Sequence, residues 1–151
     1  MLRYALPTSA RLMRADPVGG KVKCARCGWC CLDTQMELGE EDVEHIERLG
    51  FSREAFSVVG ADSIRRLRNV GGRCFFLVKA EVRCRIYQHR PKGCAIYPVN
   101  ITEDGEIVLD GGCKAARTVT KAEMDRKGAE LKTLIAKIDS ETISRKANPG
   151  R

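Results

Sequence analysis

Cys24-Ala25-Arg26-Cys27-Gly28-Trp29-Cys30-Cys31 sets four of the chain's eight cysteines within eight residues. Two residues between thiols let the backbone turn and aim both sulfurs at one centre, the spacing of zinc knuckles and iron–sulfur loops. Cys24-x2-Cys27-x2-Cys30 repeats that spacing, and Cys31 adds a thiol for the same centre or for a second one. Cys74, Cys84, Cys94 and Cys113 follow as isolated thiols. A dense run with four distant partners points to metal. A disulfide framework is the competing reading of so many cysteines. Against it, Met1 to Ser9 has no continuous apolar region and soon reaches Arg11 and Arg14, unlike an export signal. Vicinal Cys30 and Cys31 are also awkward partners for one another. The expectation is a cytoplasmic protein with reduced, metal-binding cysteines.

At 151 residues the chain is one domain by length, with a real core. Apolar residues reach 43% but aromatics only 5%, so aliphatic side chains fill the core and a metal site would add materially to stability. The net charge of +7 invites a nucleic-acid partner. Anionic thiolates absorb part of that charge, and few aromatics interleave with the basic groups Lys21, Lys23, Arg26 and Arg65, Arg66, Arg68, Arg73, so nucleic-acid binding finds little support. The longest apolar run, Cys74 to Val78, is too short to span a bilayer.

Outward from the run, residues 1–22 read as an irregular N-terminal arm, with a short strand at Val22-Lys23 leading into residues 23–140, the metal-binding domain. Gly28 sits where a knuckle needs a positive φ, and Trp29 either shields the centre or fills the core. Val43, Ile46 and Leu49 recur at helical spacing behind Glu40, Glu41 and Asp42, with Gly50 as the stop. His45 lies in this Glu-rich stretch and reads as solvated; His89 is the only other histidine. A second short helix begins after Ser52, anchored by Phe56. Ile64 and Leu67 fit a helical turn. Cys74 to Val78 reads as a buried strand, pairing with Val82 to Tyr87. Arg90-Pro91-Lys92-Gly93 reads as a turn, and Asp104-Gly105 as a type I′ hairpin signal. Gly111-Gly112 bends the chain to deliver Cys113. Thr120 to Glu123 is a capping box, opening a helix that ends near residue 140 with Met124, Leu131, Leu134, Ile135 and Ile138 on its apolar face. Residues 141–151 read as a flexible tail. The fold class is α+β: a small, irregular, metal-stabilised domain with short β-hairpins and a C-terminal packing helix.

Cys24-x2-Cys27-Gly28-x-Cys30-Cys31, Cys74-Phe75-Phe76-Leu77, Cys84-x-Ile86-Tyr87-x2-Arg90-Pro91-x2-Cys94-x2-Tyr97-Pro98 and Cys113 together resemble the YkgJ-like cysteine-cluster family. Its members are described as zinc- or iron-chelating or Fe–S-cluster-containing proteins, which implies metal at all eight cysteines. Ala95 follows Cys94 where the family pattern has Arg, removing a charge beside the site. A flagellin lysine methylase looks like a relative, but no glycine-rich turn for its cofactor occurs here. P-loop and His-Glu-x2-His motifs are absent too. The first centre is expected to use Cys24, Cys27, Cys30 or Cys31, and Cys94. Around the thiols, Gly28, Tyr87, Arg90, Pro91 and Tyr97 are the candidate supporting residues, Arg90 through a charge-assisted hydrogen bond to sulfur. The expected function is electron transfer or redox sensing at one or more [4Fe–4S] clusters. Its alternatives are a zinc-stabilised module binding protein or RNA and an accessory subunit of a modifying enzyme. The implied partner is a redox protein or that enzyme, with no membrane.

Overall fold

The computed structural model of the protein describes the backbone of residues 12–13, and residues 24 and 27–150 in full. In chain order come β1 (Leu12–Met13), a 3-10 turn (Trp29–Cys31), α1 (Glu40–Arg48), α2 (Arg53–Phe56), β2 (Ser57–Val59), β3 (Arg65–Leu67), β4 (Asn69–Val70), β5 (Arg73–Cys74), β6 (Leu77–Val78), β7 (Arg83–Cys84), a 3-10 turn (Tyr87–His89), α3 (Lys92–Ile96), β8 (Val99–Ile101), β9 (Ile107–Asp110), a 3-10 turn (Ala116–Thr118) and α4 (Lys121–Ala147). The class is α+β, built from short antiparallel hairpins and one long C-terminal helix packed on the body. β1, β9 and β8 form the three-stranded sheet; β2–β3, β4–β5 and β6–β7 are two-stranded. Strands this short are marginal alone. A shared core of Leu38, Val43, Ile46, Phe56, Phe76, Leu109, Val119, Leu131 and Ile138 holds them.

In α1, Glu40, Glu41 and Asp42 occupy the first turn, where the exposed N–H groups favour negative charge. Val43 and Ile46 are fully buried. Leu49, expected on the same stripe, is 38% exposed because the helix ends at Arg48 and Gly50 turns the chain at φ 97°. The segment expected to make a helical turn at Ile64 and Leu67 is extended instead. There, Ser57 pairs with Leu67 and Val59 with Arg65. On its other side, Leu38 N–H donates to the Arg65 carbonyl (2.9 Å) and Leu67 N–H to the Met36 carbonyl (2.9 Å). Partners on both sides satisfy this backbone more fully than one helical turn would.

The expected Cys74–Val78 strand is split. Cys74 closes β5, whereas Leu77 pairs with Cys84 and Val78 with Arg83 in the following hairpin. Residues 92–96, read as the far side of a turn, form α3. Pro91 precedes it, and Asp42 accepts the Lys92 N–H at 3.0 Å, satisfying a helix-terminal donor. Gly93 serves packing here, since a Cβ would lie 2.4 Å from the Met36 sulfur. The β8–β9 hairpin matches its expected place, but its turn does not match type I′. The register Ile101↔Ile107 leaves residues 102–106 to connect the strands, and of Asp104 and Gly105 only Gly105 has a positive φ, 84°. Gly105 N–H donates to the Thr102 carbonyl, the pattern of a type I turn closed by a left-handed glycine.

Thr120 accepts the Glu123 N–H at 3.1 Å, capping α4. Leu131, Leu134 and Ile138 are buried, while Met124 and Ile135 are partly so. Gly128, costly in a helix by propensity, permits contact with the sheet: a Cβ would come within 2.9 Å of Ile107 Cγ1. The helix runs on to Ala147, so residues 141–147 are not a flexible tail. Arg145 fastens this end through the Ser63 carbonyl (2.6 Å) and Glu40 (3.0 Å), and Thr142 is buried. At the other end of the chain, Leu12–Met13 extends the sheet along β9. The strand expected at Val22-Lys23 lies outside the described residues.

Leu131→Ala is expected to cost about 2–5 kcal/mol in denaturant unfolding. Gly128→Ala should fail to return the roughly 1 kcal/mol that propensity alone promises, because Ile107 must yield. Acid should weaken the fold in a defined window. Lys137 and Lys92 hold the Glu41 carboxyl down to about 2 from 4.5, and Arg66 holds Asp62 to about 2 from 3.8. Folded values below unfolded ones contribute stability that is complete above about pH 4.5 and lost toward pH 2. Asp42 opposes this, since burial raises its carboxyl. The urea midpoint should therefore fall across that range, and less steeply in Glu41→Gln.

Candidate metal centre

The first cysteines ride on a backbone curl. Gly28 sits at φ 74°, and its carbonyl accepts the Cys31 N–H at 3.0 Å, so the thiols of residues 27–31 fan around one 3-10 turn. A side chain at Gly28 would be strained by that φ and would also meet Val82 Cγ1 at 2.9 Å, where the β6–β7 hairpin closes over the curl. Cys74 and Cys84 come from β5 and β7, and Cys94 lies within α3. Cys113 is brought back by a brace at Asp110. This fully buried residue takes a hydrogen bond from the Tyr97 hydroxyl and another from Gly112 N–H (2.8 Å), while its carbonyl accepts the Cys113 N–H (3.2 Å).

The result is one cavity of about 120 Å³ lined by all eight cysteines. Gly28, Tyr87, Arg90 and Tyr97 line it too; Pro91 does not, and is buried ahead of α3. Among the described residues, no three His, Cys, Asp or Glu side chains are gathered as they would be around a single ion. The thiols wall a chamber and do not close on one point.

Five of the thiols are pushed above their ordinary range. The Cys30 thiol is pushed far up, first by its hydrogen bond with Cys31, then by burial and by Cys27. Burial pushes Cys74 and Cys113 to about 11 and Cys94 well above its ordinary value. Cys84 is raised by burial, with Arg90 pulling the other way. Cys30 acts on Cys74, Cys84, Cys94 and Cys113 alike and is the electrostatic centre of the set. Arg90 is held with its guanidinium carbon 4.1 Å from the Tyr87 ring centre, a cation–π contact that fixes its charge at the wall.

Lys127, on α4, is a lining residue that motif reading overlooks. Its ammonium donates to the Ala95 carbonyl at 3.1 Å, and burial lowers its pKa. The charge missing at Ala95 is thus supplied from another element. The signal was available: Lys127 falls between Met124 and Leu131 at spacings of three and four, on the face that packs inward. Asp42 is a similar case, four residues before Ile46. Three of the arginines considered for nucleic acid, Arg65, Arg66 and Arg68, have internal partners. Arg65 binds Ser57 and Glu40, Arg66 binds Asp62, and Arg68 donates to the Glu54 and Ser57 carbonyls. Lys21, Lys23 and Arg26 lie outside the described residues.

A thiol-walled chamber on a small α+β body defines a cysteine-cluster, metal-chelating class of protein. Residues 23–114, more than half of the chain, match the CxxCxxCC model, described as "Putative zinc- or iron-chelating domain", and the chain belongs to that family. It is also 30% identical over 94 residues to the uncharacterized protein MJ0661 of Methanocaldococcus jannaschii, an alignment covering 57% of this chain and 50% of that one. The chain thus spans about half the length of this curated relative. No solved structure matches it. Among the described residues, no helix is long and apolar enough to cross a membrane.

Trp29 closes the chamber against Gly112, where a Cβ would lie 2.4 Å from the indole nitrogen. Gly112→Ala should therefore displace the ring. As Trp29 is the one tryptophan of the chain, the expected result is a shift of its fluorescence to longer wavelength, with the far-ultraviolet dichroism unchanged.

Proposed function

We propose that this protein holds an iron–sulfur centre, with at least one [4Fe–4S] cluster, for electron transfer or redox sensing in the cytoplasm. The observation that carries this reading is a chamber of about 120 Å³ lined by eight thiols and, among the described residues, by no His, Asp or Glu. Thiolate-only ligand sets suit soft centres such as iron–sulfur clusters and zinc. A single water needs only about 10–15 Å³ of such space, so this chamber has room for a polyatomic group. Cys24, Cys27, Cys30 or Cys31, and Cys94 would hold the first cluster; Cys74, Cys84, Cys113 and the remaining vicinal thiol would serve a second or complete the wall. A bound cluster would supply one-electron chemistry. The chain's own part is to exclude water with Trp29 and Tyr97, and to offset anionic sulfur with Arg83, Arg90 and Lys127 around the cavity. Its partner would be a redox protein or the catalytic subunit of a modifying enzyme. Zinc in a module that binds protein or RNA is the second reading, since the family's description names zinc beside iron.

Protein made and purified without oxygen should be brown, bleach on reduction, and contain iron with acid-labile sulfide. Colourless protein with stoichiometric zinc and no sulfide would overturn the cluster. Cys24→Ser and Cys27→Ser should each lose metal and melt at lower temperature, because binding and folding are coupled. Lys127→Met should lower the reduction potential, since the reduced centre carries one more negative charge and loses its neighbouring cation.

A further inference from the structure

The chain contains two histidines, 44 residues apart, and the fold brings them together. His45 projects from the middle of α1. His89 ends the 3-10 turn whose first residue, Tyr87, lines the thiol chamber. Nε2 of His45 lies 3.2 Å from Nδ1 of His89, with ring centres 5.2 Å apart and planes inclined at 43°. The pair is exposed, and nothing in the cysteine chemistry above calls for it.

We infer that His45 and His89 form a surface chelate for a divalent first-row transition ion, separate from the thiol chamber. An ion bonded to both nitrogens at 2.0–2.1 Å would subtend about 100° across 3.2 Å, close to the tetrahedral angle. In the structure the two nitrogens face one another, so a modest pivot of the exposed rings turns both lone pairs onto the ion. Imidazole suits zinc, iron, nickel and copper alike. Two protein ligands leave the remaining positions to water or to an incoming group. The site is therefore open and exchangeable, unlike a thiolate site. His89 also belongs to residues 84–90, the strip whose Cys84, Tyr87 and Arg90 line the chamber, while neither histidine lines it. A divalent ion arriving from solvent would meet nitrogen ligands here, on residues that do not line the chamber. The inference does not depend on whether the chamber holds iron–sulfur or zinc.

The test uses untagged protein as purified, with its cysteine centre intact, titrated with Ni²⁺ in equilibrium dialysis and by NMR. With only two histidines, the imidazole region holds two sets of lines. Wild-type protein should take up one Ni²⁺ per chain that broadens both sets together. His45→Gln and His89→Gln should each weaken that binding at least about tenfold, because one imidazole remains and the chelate is lost. Both variants should keep the wild-type melting temperature and the wild-type content of the resident metal. Equal Ni²⁺ uptake by wild type and both variants would place the ion on sulfur and overturn the proposal. No Ni²⁺ uptake by wild type would overturn it too, leaving the pair as a hydrogen bond between neutral rings.

Discussion

Sulfur crowding is the constraint on which the rest of this structure depends. Eight thiols face one chamber of about 120 Å³, and ionising several of them in so small a space is unfavourable without positive charge among them. The fold answers in two ways. It raises the pKa of five of them, Cys30, Cys74, Cys84, Cys94 and Cys113, chiefly by burial and, at Cys30, first by the hydrogen bond with Cys31. It also sets Arg90 and Lys127 at the wall. A metal centre entering the chamber must expel protons from sulfur, so ligand binding and proton release are one event. Affinity in such a site rises with pH for that reason alone.

The walls come from segments distant in sequence, and their own secondary structure is slight. β5 and β7 have two residues each and α3 has five. Their placement is borrowed from α1, α4 and the β8–β9 hairpin, where the aliphatic core lies. Two buried carboxylates make the loan specific. Asp42 reaches from α1 to the first N–H of α3, the helix that carries Cys94. Asp110 ties Tyr97 to the turn before Cys113. Each joins the core to a cysteine-bearing segment through a directional bond that apolar packing could not provide.

Where sequence and structure agree, the reason is local. Thr120 caps because its hydroxyl reaches the Glu123 N–H three residues on. Gly105 turns because only glycine takes that backbone angle without strain. The cysteine run at residues 24–31 was legible because Cys-x2-Cys spacing already aims sulfur, but the spacing could not say that Cys74, Cys84, Cys94 and Cys113 all face the same space. Where they differ, the deciding partner is remote. Arg65 to Leu67 is extended because Met36 and Leu38 offer ladder bonds from thirty residues upstream. Lys92 to Ile96 is helical because Asp42 caps it, and Gly93 is there for Met36, not for a turn. Lys127 escaped motif reading because its role is set by where α4 lies across α3.

The order of the walls along the chain has a consequence for biosynthesis. Cys31 is followed by 81 residues before Cys113 completes the thiol set, and α4 comes later still. At translation rates of roughly 5–20 residues per second, that interval is on the order of 4–16 s. During it the nascent chain carries its densest cysteine run with an incomplete opposite wall and no Lys127. Any ion taken up then is held by a knuckle alone, in competition with every thiol reductant nearby. The full thiol wall therefore exists only once Cys113 has been added, and Lys127 joins it later still.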